Sequence, residues 1–322
     1  MSRRGFLAVA GAAAVAAALP RGLAQEAAPG QTSAGTDARG APTHPLIDMH
    51  AHQVPDFMRG QNPKGGAGGR TEKEFVAHQK AVNAVASVIL GGNDYDFEFM
   101  KAEPNKYIRF ASAQRAGGDR GLVVEKALKG GAKGIGEHRW EGDIPFTWRM
   151  LDMARDFKVP ILFHFEEVLF PAAVFSEFYK VIEKYPTVTF IGHGIDWWGA
   201  IDKNYHKSQG GRPRGLINPG GLTDQWLSRY PNLHCDMSAG SGNNALLRDP
   251  YRAKEFIIRH QDRMLFGSDC NCSAGGTPTC WTAIKRMALN YLELSPEVQQ
   301  KLYISNAAKL FGFKLSRGLW LS

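Results

Sequence analysis

Short apolar runs alternate with longer amphipathic segments along most of the chain. The runs are Leu46–His50, Ala84–Leu90, Tyr107–Ala113, Ala132–Glu137, Val159–Phe165, Thr187–His193, Asn232–Met237 and Arg263–Asp269. Most are near-continuously apolar, the pattern of strands covered on both faces. The segments between them carry helical spacing and capping signals. Thr71-Glu72-Lys73-Glu74 fits a capping box opening a helix after the first run, and Ser295-Pro296 places a cap residue before proline at a first helical position. Eight strand–helix alternations predict an α/β fold, a (β/α)₈ TIM barrel, over residues 45–322. Two βα connections are long: Gln53 to Gly69, ending in a glycine-rich GGAGG, and Gly194 to Gly221. Loops of that length at the carboxyl ends of barrel strands are where recognition is built. The GGAGG stretch lacks a following Lys-Ser/Thr and a preceding strand, and reads as a loop or lid rather than a phosphate cradle.

The N-terminal pattern is different. Arg3-Arg4 precedes an apolar stretch, Phe6–Leu19, too short to span a bilayer, and small residues follow at Gly22 and Ala24. Residues 1–24 resemble a twin-arginine export signal, which predicts the Tat translocase as a partner during export and a periplasmic or secreted location. Residues 25–44, rich in Ala, Gly, Thr and Pro, read as a flexible linker. Cleavage after Ala24 would remove three arginines from a formal net charge of +8, leaving a mildly basic chain. No run of Lys and Arg interleaved with aromatics is present, so a small, anionic substrate is expected rather than nucleic acid. Cys235, Cys270, Cys272 and Cys280 do not form paired CxxC spacings. A Cys272–Cys280 or Cys270–Cys280 loop disulfide and buried free thiols both fit them.

Candidate chemistry collects at the carboxyl ends of the predicted strands. His50 and His52 lie two apart and can aim at one point from one strand face. His164 closes the fifth run, His193 the sixth, Asp269 the eighth and Glu137 the fourth. Any one of these could be a core histidine or a paired acid; their joint placement at the active-site end of a barrel points to a divalent metal.

The motifs DMHAH at 48–52, FHF at 163–165, IGHG at 191–194, LFGSD at 265–269 and the closing NAAKLFG at 306–312 together resemble the amidohydrolase superfamily. The resemblance is to its amidohydrolase-related branch, which includes aminocarboxymuconate-semialdehyde decarboxylase and aromatic decarboxylases. It implies that His50, His52, His164 and Asp269 hold one ion, with His193 beside it as ligand or catalytic group. Gly134-Ile135-Gly136-Glu137 departs from that branch and resembles the strand-four motif of TatD-like nucleases, in which the glutamate bridges two ions. Glu137 therefore leaves one or two ions open. Histidine and aspartate donors suit Zn²⁺ first, with Mn²⁺, Fe²⁺ or Co²⁺ as alternatives.

The chemistry so implied is hydrolysis of an ester, lactone or amide by ion-activated water, with Asp269 moving the proton and His193 polarising the carbonyl. Arg139 is a candidate clamp for a substrate carboxylate, and Trp140, Trp197 and Trp198 are candidate packing surfaces for its ring. The alternatives are a non-oxidative decarboxylase of an aromatic or unsaturated acid, a TatD-like phosphodiesterase, and a non-catalytic periplasmic metal- or ligand-binding protein. A homo-oligomer is compatible with the sequence.

Overall fold

The structure is a computed structural model, and it describes residues 44–53, 70–91, 97–112, 118–171, 173–272 and 280–313. The export signal at 1–24, most of the linker at 25–44 and the glycine-rich stretch of the first long loop lie outside the described residues. The described residues all belong to one compact unit, 34–322.

All eight predicted strands form. They are β1 (Leu46–His52), β2 (Ala84–Leu90), β3 (Tyr107–Phe110), β4 (Ile135–Arg139), β5 (Ile161–Phe165), β6 (Phe190–Gly194), β7 (Leu233–Asp236) and β8 (Met264–Leu265). Each pairs in parallel with its neighbour, as β1-β2-β3 and β4-β5-β6-β7-β8. Backbone hydrogen bonds bridge both seams. Between β3 and β4, the Ala111 amide donates to Gly134 and the Gly136 amide to Ala111, both at 2.8 Å. Between the chain after β8 and β1, the Met49 amide donates to Phe266 at 2.9 Å and the Asp269 amide to His50 at 2.8 Å. The eight strands therefore close into the predicted barrel, although β8 is shorter than the run Arg263–Asp269 suggested.

The intervening helices form where the sequence caps them. In α1 (Glu72–Ala81), Thr71 accepts from the Glu74 amide and Glu74 accepts from the Thr71 amide, completing the capping box. Proline opens α2 (Pro145–Asp156), and it opens α3 (Pro296–Gln300) behind the Ser295 cap.

The two-residue period of β5 and β6 decides what faces the lumen. Phe163, Phe165 and Phe190 point outward and stack around Phe178, with ring centroids 4.7–5.8 Å apart. Their intervening neighbours His164 and His193 take the opposite face, directly across from each other in the β5–β6 register. Burying each phenylalanine stabilises the wall by about 1.5–3 kcal/mol, so the same packing that holds the strands fixes which way the histidines aim. Gly192 is required there: a Cβ at that position would lie 2.4 Å from the Trp197 ring.

Candidate metal centre

Six polar side chains predicted from the sequence meet at the carboxyl ends of the strands, and the structure adds Asp236, Ser238 and Glu166. On β1, the backbone amide of His50 donates to Asp48 Oδ1 (3.1 Å), while the Ser268 amide and hydroxyl donate to the two oxygens of the same carboxylate. Asp48 thus ties β1 to the chain after β8 and sets the height of both His50 and Asp269. Asp269 holds φ of +50°, a left-handed conformation that aspartate tolerates better than most residues.

His50 is buried. Its Nδ1 donates to Asp236 Oδ2 at 2.6 Å, with Ser238 Oγ at 3.1 Å. That bond assigns the tautomer: in neutral His50 the Nε2 lone pair faces the lumen. There it lies 3.0 Å from His52 Nε2 and 3.8 Å from Asp269 Oδ1, and His52 Nε2 lies 3.6 Å from the same oxygen. Three donors around an ion at bonds of ~2.1 Å are separated by roughly 3.0–3.6 Å for the angles of four- to six-fold coordination. Two sides of the triangle fall in that range and the third, at 3.8 Å, is just beyond it. Glu137 Oε2, 3.6 Å from His52 Nε2, stands as a further donor.

Glu137 does enter the mouth of the barrel. Its Oε1 contacts His164 Nδ1 and lies 3.5 Å from His193 Nε2. His164 Nε2 faces Glu166 Oε2 at 3.2 Å. His164 is thus held between two carboxylates, outside the triangle of His50, His52 and Asp269. His193 is buried against Ser238. Because the Ser238 hydroxyl donates to Asp236 Oδ2 (2.8 Å), its lone pair accepts from His193 Nδ1 (2.8 Å), and the His193 Nε2 lone pair is left facing Glu137. His193 Nε2, Glu137 and His50 form a second group of donors within 4.8 Å of one another.

The electrostatics are those of a site made for a cation. Burial alone would depress His50, but Asp236 and Asp269 outweigh it and raise its pKa to about 10. Burial is likewise outweighed at His164 by Glu137 and Glu166, which raise it to about 9. His193, with burial and the His50 charge both acting downward, falls to about 3 and stays neutral. Burial opposes ionisation of Glu137, yet the His164 charge and hydrogen bond carry it well below the usual carboxylate range. Asp269 rises to about 7, pushed by burial and by the Glu137 and Asp236 charges. Protons on His50 and His164 thus balance the acids where a divalent ion could supply the same charge.

A cavity of about 540 Å³ opens over this cluster, lined by His164, His193, Asp269, Arg212, Gln209 and Trp281 among others. The sequence-predicted substrate residues sit elsewhere. Trp140, Trp197 and Trp198 are buried in the wall, which corrects their assignment as packing surfaces for a substrate ring. Trp140 packs edge-on against Phe163 and Phe178. Trp197 donates to Cys235 Sγ, and Trp198 to the Asp236 carbonyl. Arg139 stacks 5.7 Å over the Phe170 ring, and the guanidinium in the cavity wall is that of Arg212, which the sequence reading did not single out.

Residues 222–313 match the family model described as amidohydrolase. Over that stretch the chain is similar to the amidohydrolase family. Solved structures share the amidohydrolase fold at low sequence identity. A Pseudomonas putida protein assigned as a 2-pyrone-4,6-dicarboxylic acid hydrolase aligns at TM-score 0.53 and 15% identity, covering 85% of this chain and 100% of that one. A 2,6-dihydroxybenzoate decarboxylase in complex with 2,6-dihydroxybenzoate aligns at 0.52 and 14% identity, covering 84% and 100%. A Burkholderia multivorans amidohydrolase with bound zinc aligns at 0.50 and 12% identity, covering 83% and 99%. Among curated proteins, none matches the sequence.

Proposed function

We propose that this protein is an amidohydrolase, a zinc-dependent hydrolase of a small carboxylated ester, lactone or amide. The observation that carries the reading is the triangle of His50 Nε2, His52 Nε2 and Asp269 Oδ1, whose third member also lines the cavity. These three donors, with Glu137, would hold the ion. A divalent ion bound there supplies an acidified water and polarisation of a carbonyl oxygen.

The chain's own residues do the rest. Asp269, half-buried and facing the cavity, accepts the proton of the attacking water and returns it to the leaving group. His193, held neutral and fixed by Ser238, orients its Nε2 at the edge of the cluster. Arg212, the guanidinium on the cavity wall, pairs with a substrate carboxylate in place of Arg139. Glu137 presents one oxygen toward His52 and the other toward His164 and His193. That division favours, as a second reading, a second ion on the His193 side. Metal analysis giving two equivalents lost with Glu137→Gln would establish it.

The function is tested with purified protein on lactones, amides and hydroxybenzoates in water labelled with oxygen-18. Label in one product carboxylate or alcohol is the expected result. Release of CO₂ from a hydroxybenzoate without label would replace hydrolysis by decarboxylation. The paired arginines and apolar stretch at the N-terminus support export; cell fractionation, with the mature N-terminus read by mass spectrometry near Gln25, tests it.

A further inference from the structure

Behind the chain that follows β8 lies a second group of metal-competent side chains that the hydrolytic reading leaves unused. His78, on α1, is fully buried, and neither ring nitrogen has a hydrogen-bond partner. An imidazole desolvated without partners costs on the order of 1–3 kcal/mol for each unsatisfied group. Burial also holds its pKa near 4, so the ring is neutral with a lone pair to offer. The Sγ atoms of Cys270 and Cys280, 3.3 Å apart and buried, lie with a His78 nitrogen inside a sphere where all three are within 4.8 Å of one another. The Cys272 side chain hydrogen-bonds to Cys270, bringing a third sulfur to the edge of the group.

Tetrahedral zinc, with bonds of ~2.3 Å to sulfur and ~2.0 Å to nitrogen, separates its donors by roughly 3.5–3.8 Å. The two sulfurs, at 3.3 Å, stand about half an ångström closer than that, and the His78 nitrogen lies within 4.8 Å of both. Charge points the same way. Arg70 is 1% exposed, and its hydrogen bonds run to neutral oxygens of Gln53, Cys272 and His52. Three thiolates and one histidine on a divalent ion carry one net negative charge, which the adjacent guanidinium offsets. A Cys270–Cys280 disulfide would leave both nitrogens of His78 without a partner and Arg70 with the Asp48 carboxylate as its remaining counter-charge.

We propose that His78, Cys270, Cys272 and Cys280 form a structural zinc site, separate from the catalytic cluster. Binding releases the thiol protons to solvent and joins α1 to the chain immediately after Asp269, so the ion fixes the loop on which the proton-transferring carboxylate sits. The site contains cysteine and the catalytic cluster does not, which makes the two separable by spectroscopy.

The test uses the purified full-length protein, prepared without reductant and then loaded with Co²⁺. Expected is an intense near-ultraviolet thiolate-to-cobalt charge-transfer band with the visible bands of tetrahedral cobalt. The band should persist in His50→Ala/His52→Ala and weaken and shift in His78→Ala. In folded, zinc-loaded protein a thiol reagent should reach Cys272, the one thiol of the four that is not fully buried, only after chelator is added, and in denaturant all four thiols should react. Absence of the band in folded protein, or a mass two hydrogens short with two thiols missing in denaturant, would overturn the proposal, the latter in favour of a disulfide. These readouts on the unmodified chain stand even where Cys280→Ser fails to fold.

Discussion

Asp236 is the residue on which the geometry of the metal centre turns, and Asp236→Asn isolates its charge at constant volume. The carboxylate accepts from His50 Nδ1 at 2.6 Å and from Ser238 Oγ at 2.8 Å, and lies 3.4 Å from His193 Nδ1. It therefore fixes His50 in the tautomer whose Nε2 can bind an ion and makes that nitrogen more basic. Losing such a carboxylate behind a histidine ligand costs about 10–100-fold in metal affinity, or roughly 1.4–2.7 kcal/mol. The assay is zinc affinity by chelator competition at pH 8, with the melting curve as a check on folding. Proton release gives a second reading. With its folded pKa raised to about 10, metal-free His50 is protonated at pH 8, so zinc binding must displace that proton. Without the Asp236 charge the pKa falls back toward the ordinary value, and the proton displaced from His50 at pH 8 should largely vanish. Calorimetry in two buffers of different ionisation enthalpy measures that change. A folded Asp236→Asn protein with zinc affinity within twofold of the parent and unchanged proton release would refute the role given to this carboxylate.

Asp269→Asn should lower kcat by at least about 10³-fold, removing the proton acceptor while His50, His52 and Glu137 retain measurable zinc; turnover near the parent level would take Asp269 out of the proton transfer. Arg212→Ala should raise KM for a carboxylate-bearing substrate by about 10–100-fold and leave its neutral amide or ester analogue unaffected, a contrast read directly from steady-state kinetics. Acid should destabilise the fold through His138, which is buried between Phe146 and Phe163 and held at about 3 by burial and by Arg120. Its folded pKa lies below its unfolded value near 6.5, so the unfolded chain binds the extra proton and stability falls as pH drops below 6.5. At pH 5 the loss from this one residue is ~2 kcal/mol. In urea unfolding, the gap between the parent and His138→Phe should shift by that amount in favour of the variant between pH 7.5 and pH 5, and a constant gap would contradict it.

The barrel was legible because its eight strands are apolar on both faces and its helices are capped by residues that announce themselves, Thr71 with Glu74 and Ser295 with Pro296. Six cluster residues were legible for a related reason: each ends an apolar run, and the period of two carries it into the lumen. Asp236 and Ser238 escaped notice although they close the seventh run in the same way. The run Asn232–Met237 contains both Cys235 and Asp236, and only the partner on another strand, His50, shows which one matters. The tryptophans misled because size and placement after strands β4 and β6 suggest surfaces for a substrate ring. In the structure Gly192 leaves a hollow that draws Trp197 inward, and the Asp236 carbonyl captures Trp198. Sequence carries no sign of such a hollow. His78 was invisible for the opposite reason, because an isolated histidine on a helix gains meaning only from cysteines about 200 residues away.

Crystals of zinc-loaded protein, with diffraction recorded on both sides of the zinc absorption edge, test the central claim most directly. The account predicts an anomalous peak enclosed by His50 Nε2, His52 Nε2 and Asp269, apart from any peak among the cysteines. Full occupancy elsewhere, with that triangle empty at saturating zinc, would contradict it.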